Sequence, residues 1–351
     1  MTGPVYSEYK AANRRNVLFI FLFTVLAAVS FFITLGFGVY KISVIDAIGV
    51  FFDHLNGNIT DPAADYYVWK VRTPRALGAI ITGAALAVAG AVMQNDFKNP
   101  LAEPYTMGIS SGAFLGAVLS IIFGISLIPF VKGPLATVVN AFILSLVPTA
   151  IIIIVSKFKK MSPTVMILTG IAVMFLFSSI SQVIMVTAPS ETLADAYAWR
   201  VGDVGSVFWS AVPIMASISA VLIAAIYALG GKMNVMYAGD NGARTLGEKA
   251  EIIRIVTLIL ISFLTAGVVS FTGTVGFIGL VGPHVARIFV GSNNRYLIPA
   301  SASFGAAFLL LADTLAKVSG INGLPVGVIS SMVGGPLFIW ILVRQGKSAW
   351  A

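Results

Sequence analysis

The stretch ALGAIITGAALAVAGAVMQ, residues 76–94, decides the fold, because it contains no charged residue. At 1.5 Å per residue it reaches about 28 Å as a helix, against a bilayer core of about 30 Å. Ala79, Gly83, Ala87 and Ala91 recur every four residues, which places small side chains in one stripe along the helix. Such a stripe lets a second membrane helix approach closely. Stripes of this kind occur in channels, transporters and membrane enzymes alike, so helix packing explains this one by itself.

Working outward, further apolar runs lie at 16–38, 106–124, 135–156, 162–186, 207–229, 252–271, 275–290, 297–316 and 326–343. With 76–94 they predict about ten transmembrane helices, of which 106–124 and 275–290 carry the weakest signal. The composition agrees: the 351 residues are 58% hydrophobic and only 10% charged. Soluble domains are about 25% charged, so a soluble enzyme and a disordered chain are both excluded. Cys is 0 and His is 2, which removes a disulfide scaffold, a thiolate metal site and a multi-histidine metal centre. Arg14 and Arg15 precede the first run as they would in a signal peptide. The run is too long for that, and no small-residue cleavage site follows closely, so it reads as a mature helix.

The cations set the orientation. With the N-terminus inside, the inner segments hold Lys10, Arg14, Arg15, Lys98, Lys157, Lys159, Lys160, Lys232, Arg244, Lys249, Arg254, Arg287, Arg295, Arg344 and Lys347. The outer segments hold Lys41, Lys70, Arg72, Arg75, Lys132, Arg200 and Lys317. This asymmetry puts both termini in the cytoplasm and accounts for much of the net charge of +8 without a nucleic-acid partner. Two connectors stand out from a chain that otherwise reads as a single transmembrane domain. Residues 39–73 form a long external loop whose apolar patch (Val44, Ile45, Ile48) suits a short interfacial helix. Residues 230–251 form the longest internal loop, and a long ordered loop is often functional.

Ionisable residues inside the spans are few. Asp313, in FLLLADTLAKV, is the clearest, with a helix–helix hydrogen bond as its ordinary role. His284 reads as a helix-end hydrogen-bonding group rather than a metal ligand. Residues 242–249 mimic a phosphate loop, but Glu248 precedes Lys249 and Ala250 follows it, so the Mg²⁺-binding hydroxyl is missing. Asn58-Ile59-Thr60 fits a glycosylation acceptor by a pattern common by chance. No catalytic constellation is present.

Several stretches are too particular for generic packing. They are Val71-Arg-Thr-Pro-Arg75, Gly83 to Gln94, Lys98-Asn-Pro-Leu-Ala-Glu-Pro104 and Met107-Gly-Ile-Ser-Ser-Gly-Ala113. Near the end stand Gly276 to Arg287, Leu311-Ala-Asp313 and Leu324-Pro-Val-Gly327. Together, from about residue 15 to 347, the chain resembles the FecCD-type permeases, membrane subunits of ABC importers for iron-siderophores, haem and cobalamin. The resemblance implies an all-α fold of about ten helices and a homodimer with the substrate path along its interface. It also implies two cytoplasmic ATP-binding subunits, which use ATP and Mg, and an extracytoplasmic solute-binding protein. No cofactor or metal is expected in this chain.

The resemblance further implies roles. Arg72, Arg75 and Lys317 match outer cations that dock the binding protein. Gly239, Gly242, Ala243, Arg244, Leu246 and Gly247 match the segment that couples to the ATPase. The fifth and tenth spans match the path, here with Met166, Met174, Ser178, Ser181, Gln182, Met185, Ser330, Ser331 and Met332. Two departures are Lys98, where the family often has Arg, and Gly323-Leu324 before Pro325, where it often has an acidic residue. Iron-siderophore leads as cargo, with cobalamin, haem and an oxyanion as alternatives. A secondary transporter or channel is the reading from a different class.

Overall fold

The computed structural model describes residues 4–158, 162–319 and 323–345. Lys159, Lys160 and Lys347, and the side chain of Arg344, lie outside the described residues. The first half of the chain forms α1 (Pro4–Thr34), α2 (Val44–Leu55), α3 (Pro62–Asp65), α4 (Thr73–Asp96), α5 (Ile109–Phe123), α6 (Pro134–Phe158) and α7 (Pro163–Val186). The second half forms α8 (Ser190–Val201), α9 (Val212–Val235), α10 (Gly239–Thr245), α11 (Ala250–Thr272), α12 (Ile278–Val290), α13 (Asn294–Val318) and α14 (Val326–Gln345).

Helix α4 is the centre. Its main neighbours are α9, α11, α12 and α13, and α1 packs on α13 and touches α4 beside it. The small-residue stripe explains the packing. A side chain at Gly83 would overlap the carbonyl of Gly305 on α13, and one at Gly90 would overlap that of Gly279 on α12. Ala87 lies against both Gly282 and Gly305. In lipid the hydrophobic effect does not draw helices together, so backbone contact of this closeness supplies the attraction through van der Waals packing. A second group, α5, α6 and α7, packs together and meets the centre through α11.

Among the described residues, eight helices are long and apolar enough to cross a bilayer, and two shorter apolar ones remain. The short pair is α5 and α12, with 15 and 13 residues. They extend about 22 and 20 Å, well short of a full crossing. Turns with a short 3₁₀ helix (Pro104–Met107) lead into α5, and irregular backbone leads into α12. Residues 97–108 lead from the inner end of α4 to the middle of α7, where Gly108 sits against Gly170 and Met174. Residues 273–277 lead from the outer end of α11 to the start of α12, beside Leu86 in α4. The expected spans at 106–124 and 275–290 are therefore helices, shorter than a full crossing and entered through irregular backbone.

The connectors also differ from the expected loops. The segment 39–73 carries α2, capped by Ser43, whose Oγ accepts the Asp46 amide at 3.1 Å. Phe51 and Phe52 of α2 pack on Phe31 and Phe32 of α1. The rest of the segment is not loop: α3, a π-helical turn (Tyr66–Arg72) and α4 run on as one helix, Pro62–Asp96. The segment 230–251 is largely helical too, because α9 continues to Val235 and α10 follows.

Candidate functional site

The outer end of α4 carries a buried ion cluster. The Arg72 guanidinium donates to the carbonyls of Leu35, at 2.6 Å, and Tyr40, which fastens the end of α1 to the root of α4. One turn later Arg75 meets Asp313 of α13 at 2.8 Å and Asp203 at 3.5 Å. Lys317 lies 3.2 Å from the other Asp313 oxygen and donates to Thr34 at 3.0 Å. Asp313 is fully buried, and the Lys317 side chain is only 4% exposed. These are the three cations expected to dock a binding protein, and the protomer itself supplies partners for each. Arg72 and Lys317 are buried and Arg75 is paired with Asp313, so they bind α1, α4 and α13 to one another. Asp313 is the counter-ion that permits the burial of Arg75 and Lys317, while backbone carbonyls serve Arg72.

The cytoplasmic end holds the segment expected to couple. Gly239 and Gly247 both take positive φ, +86° and +83°. Gly247 closes α10 with paired bonds, Glu248 N to Ala243 O at 2.9 Å and Gly247 N to Arg244 O at 3.0 Å. This is the double bond of a helix end that turns through a left-handed residue. Ala243 faces inward and is buried, whereas Leu246 is 65% exposed. Arg244 pairs with Glu251 at 3.0 Å, and Lys232 with Glu248 at 3.4 Å. Gly242 lies on the inner side, against Ala238. The result is a short rigid helix with an exposed apolar tip beside a concavity of about 600 Å³, lined by Arg244, Glu248 and Ile252.

Between these ends, the starts of α5 and α12 converge. Tyr105 Oη donates to the Val275 carbonyl at 2.9 Å, tying the two extended entries together. Beside them opens a concavity of about 380 Å³ lined by Tyr105, Ser110, Arg200, Thr274, Gly276 and Ser331. Irregular backbone at membrane depth is tolerated where protein buries it or it lines a cavity, and broken helices often mark a transport site. Close backbone approaches hold the rim, with Gly327 N bonding Gly202 O at 3.1 Å and Asp203 N bonding Thr272 O at 2.8 Å.

The expected path residues separate into two groups. On α14, Ser331 lines this concavity, Ser330 is buried with its hydroxyl 3.2 Å from Gly276 O, and Met332 is exposed. On α7, Met166, Ser181 and Met185 are buried, Met174 and Ser178 are half-buried, and Gln182 is exposed. Met166, Ser181, Ser330 and Met185 thus pack within the protomer, leaving Gln182 and Met332 on its outer faces. His284 is buried in the middle of α12 rather than at a helix end, and its Nε2 donates to the Pro100 carbonyl at 2.8 Å. Among the described residues no cluster suits a metal ion.

Sequence reasoning missed Tyr105, Arg200, Asp96, Asp240 and the bonding of Arg254. Arg254 alone left a signal, as a cation inside the apolar run 252–271.

The model of the FecCD transport family matches residues 26–344. The chain belongs to the FecCD transport family. This FecCD permease is 36% identical to the hemin transport system permease HmuU of Yersinia pestis, over 82% of this chain and 86% of that one. It is 35% identical to the vitamin B12 import permease BtuC of Serratia proteamaculans, over 80% and 83%. It is 31% identical to the Fe(3+)-citrate import permease YfmD of Bacillus subtilis, over 97% and 99%. Among solved structures it superposes on a metal-chelate-type ABC transporter in an inward-facing conformation, with a TM-score of 0.82 and 26% identity over 93% and 98% of the chains. The permease is therefore an all-α, multi-pass protein of the cytoplasmic membrane.

Proposed function

We propose that this permease is the membrane subunit of an ATP-driven importer that carries a metal chelate inward, with an iron(III)-siderophore as the leading cargo. The observation that carries the reading is the whole-chain likeness to a metal-chelate-type ABC transporter, together with relatives named for hemin, vitamin B12 and Fe(3+)-citrate. The active unit is a homodimer. Two ATP-binding subunits grip its cytoplasmic face at α10, where Leu246 supplies an apolar knob, Gly239 and Gly247 let the partner approach, and Gly242 seats the helix on Ala238. A solute-binding protein delivers cargo to the outer face. Cargo passes along the subunit interface, with α7 and α14 as its walls and the concavity at Ser331 as an indentation in one wall.

The mechanism follows from the geometry. ATP binding in the partner subunits displaces α10, and the close-packed backbone contacts of α4 carry that displacement into the membrane. A path without a buried cation–anion cage fits a carrier that must release large cargo. The test is uptake of radio-iron-labelled ferric hydroxamate and haemin, and of radio-cobalt-labelled cyanocobalamin, by cells with and without this chain. Loss of ferric hydroxamate uptake alone supports the reading. Loss of haemin or cyanocobalamin uptake assigns the chain to that cargo instead. Uptake that persists after ATP depletion contradicts the importer and favours a secondary transporter.

A further inference from the structure

We propose, on the reading of the chain as an ABC importer permease, that Arg254 is the positioning residue through which α10 moves the central helix α4. Arg254 stands in the first turns of α11, and its side chain is fully buried. Among the described residues, its guanidinium is the one side-chain group that donates to both α4 and α10. Nε donates to the backbone carbonyl of Asp96, the last residue of α4, at 2.9 Å. Nη2 donates to Asp240 Oδ1, in the first turn of α10, at 3.0 Å. Thr257, one turn further along α11, holds the Asp96 carboxylate through its hydroxyl. Lys98 stands 4.0 Å from the same Asp240 oxygen, at the rim.

Each part has a physical reason. The final carbonyls of a helix lack intrahelical partners, so the Asp96 carbonyl is a ready acceptor. A guanidinium is a rigid planar fork with donors on several nitrogens, so it holds two acceptors at a fixed separation. A push on one acceptor is then felt at the other. The Asp240 side chain is 39% exposed, so the far end of the bridge opens on the cytoplasmic face, while the near end is sealed in the core. The Asn95 side chain makes another link from α4, to the Met233 carbonyl, but that link runs to α9 and bypasses α10. For stability alone a buried ion pair is a poor device, since apolar residues of similar volume serve as well or better. A device that sets the position of α4 against α10 does require it.

The test uses the permease purified with its ATP-binding subunits in lipid nanodiscs, followed by amide hydrogen exchange with and without trapped nucleotide. In the native complex, nucleotide changes exchange both in α10 and at residues 90–97 of α4. In Asp240→Asn the α10 response persists and the α4 response is lost. Arg254→Lys gives the same loss, because a single ammonium nitrogen lacks the planar fork that fixes the two acceptors at their separation, and Asp240→Glu restores the response. Asp240 is partly exposed, so its variants fold even if Arg254→Lys does not. A native-sized α4 response in Asp240→Asn overturns the proposal. Absence of an α10 response in the native complex overturns the importer reading on which the proposal rests, and the two failures are thereby distinct.

Discussion

Asp313 shows how one residue organises the outer half of the molecule. It sits between Arg75 and Lys317 with no exposure of its own. Removing one partner of a buried ion cluster leaves charge uncompensated, at a cost of about 3–5 kcal/mol. Asp313→Ala should therefore lower the thermal unfolding midpoint in detergent sharply. Replacing the set together, with Arg75→Met, Asp313→Leu and Lys317→Met, should restore most of that loss. At the other extreme of size, Gly90→Ala forces a methyl group into the Gly279 carbonyl and should cost about 1–3 kcal/mol, read in the same unfolding experiment. The sequence marked Asp313 as a candidate because charge inside an apolar run is costly. Its partnership with Arg75, 238 residues earlier, was not legible, because it depends on which helices meet. The burial of Arg72 and Lys317 was hidden for the same reason. A cation at the end of an apolar run looks exposed until a neighbouring helix end supplies the carbonyls that bury it.

At the scale of elements, the apolar runs of ordinary length emerged as helices, and the small-residue stripe on α4 found its partners on α12 and α13. Two features were hidden. Hydropathy does not separate a full span from a half-helix preceded by apolar extended chain, which is why α5 and α12 read as complete spans. Nor does it separate loop from amphipathic or small-residue helix, which is why 62–72 and 230–249 read as connectors. Both features bear on function. Tyr105→Phe removes the only side-chain bond described between the two extended entries, Tyr105 to Val275. It should leave ATP hydrolysis by the complex intact while reducing uptake per ATP. Gly247→Val demands a left-handed backbone from a branched residue, at about 1–2 kcal/mol. Because α10 is exposed at its tip, the expected outcome is impaired co-purification of the ATP-binding subunit from a permease that still folds, measured by pull-down with the tagged chain.

For the whole molecule, the proposed importer takes its energy from a partner subunit. Residues 242–249 lack the hydroxyl of a phosphate loop, and the structure builds a short helix there instead, with Gly247 as its stop. The apolar faces of α7 and α14 remain uncovered in the single protomer, with Leu168, Phe175, Val183, Met332, Ile339 and Trp340 all exposed. Lipid and a second copy of the chain both suit such faces. Native mass spectrometry of the tagged chain, purified mildly from its own host, tests the central claim most directly. The account predicts two copies of this chain carrying two copies of a nucleotide-binding subunit. A lone oligomer that still transports without ATP would contradict it.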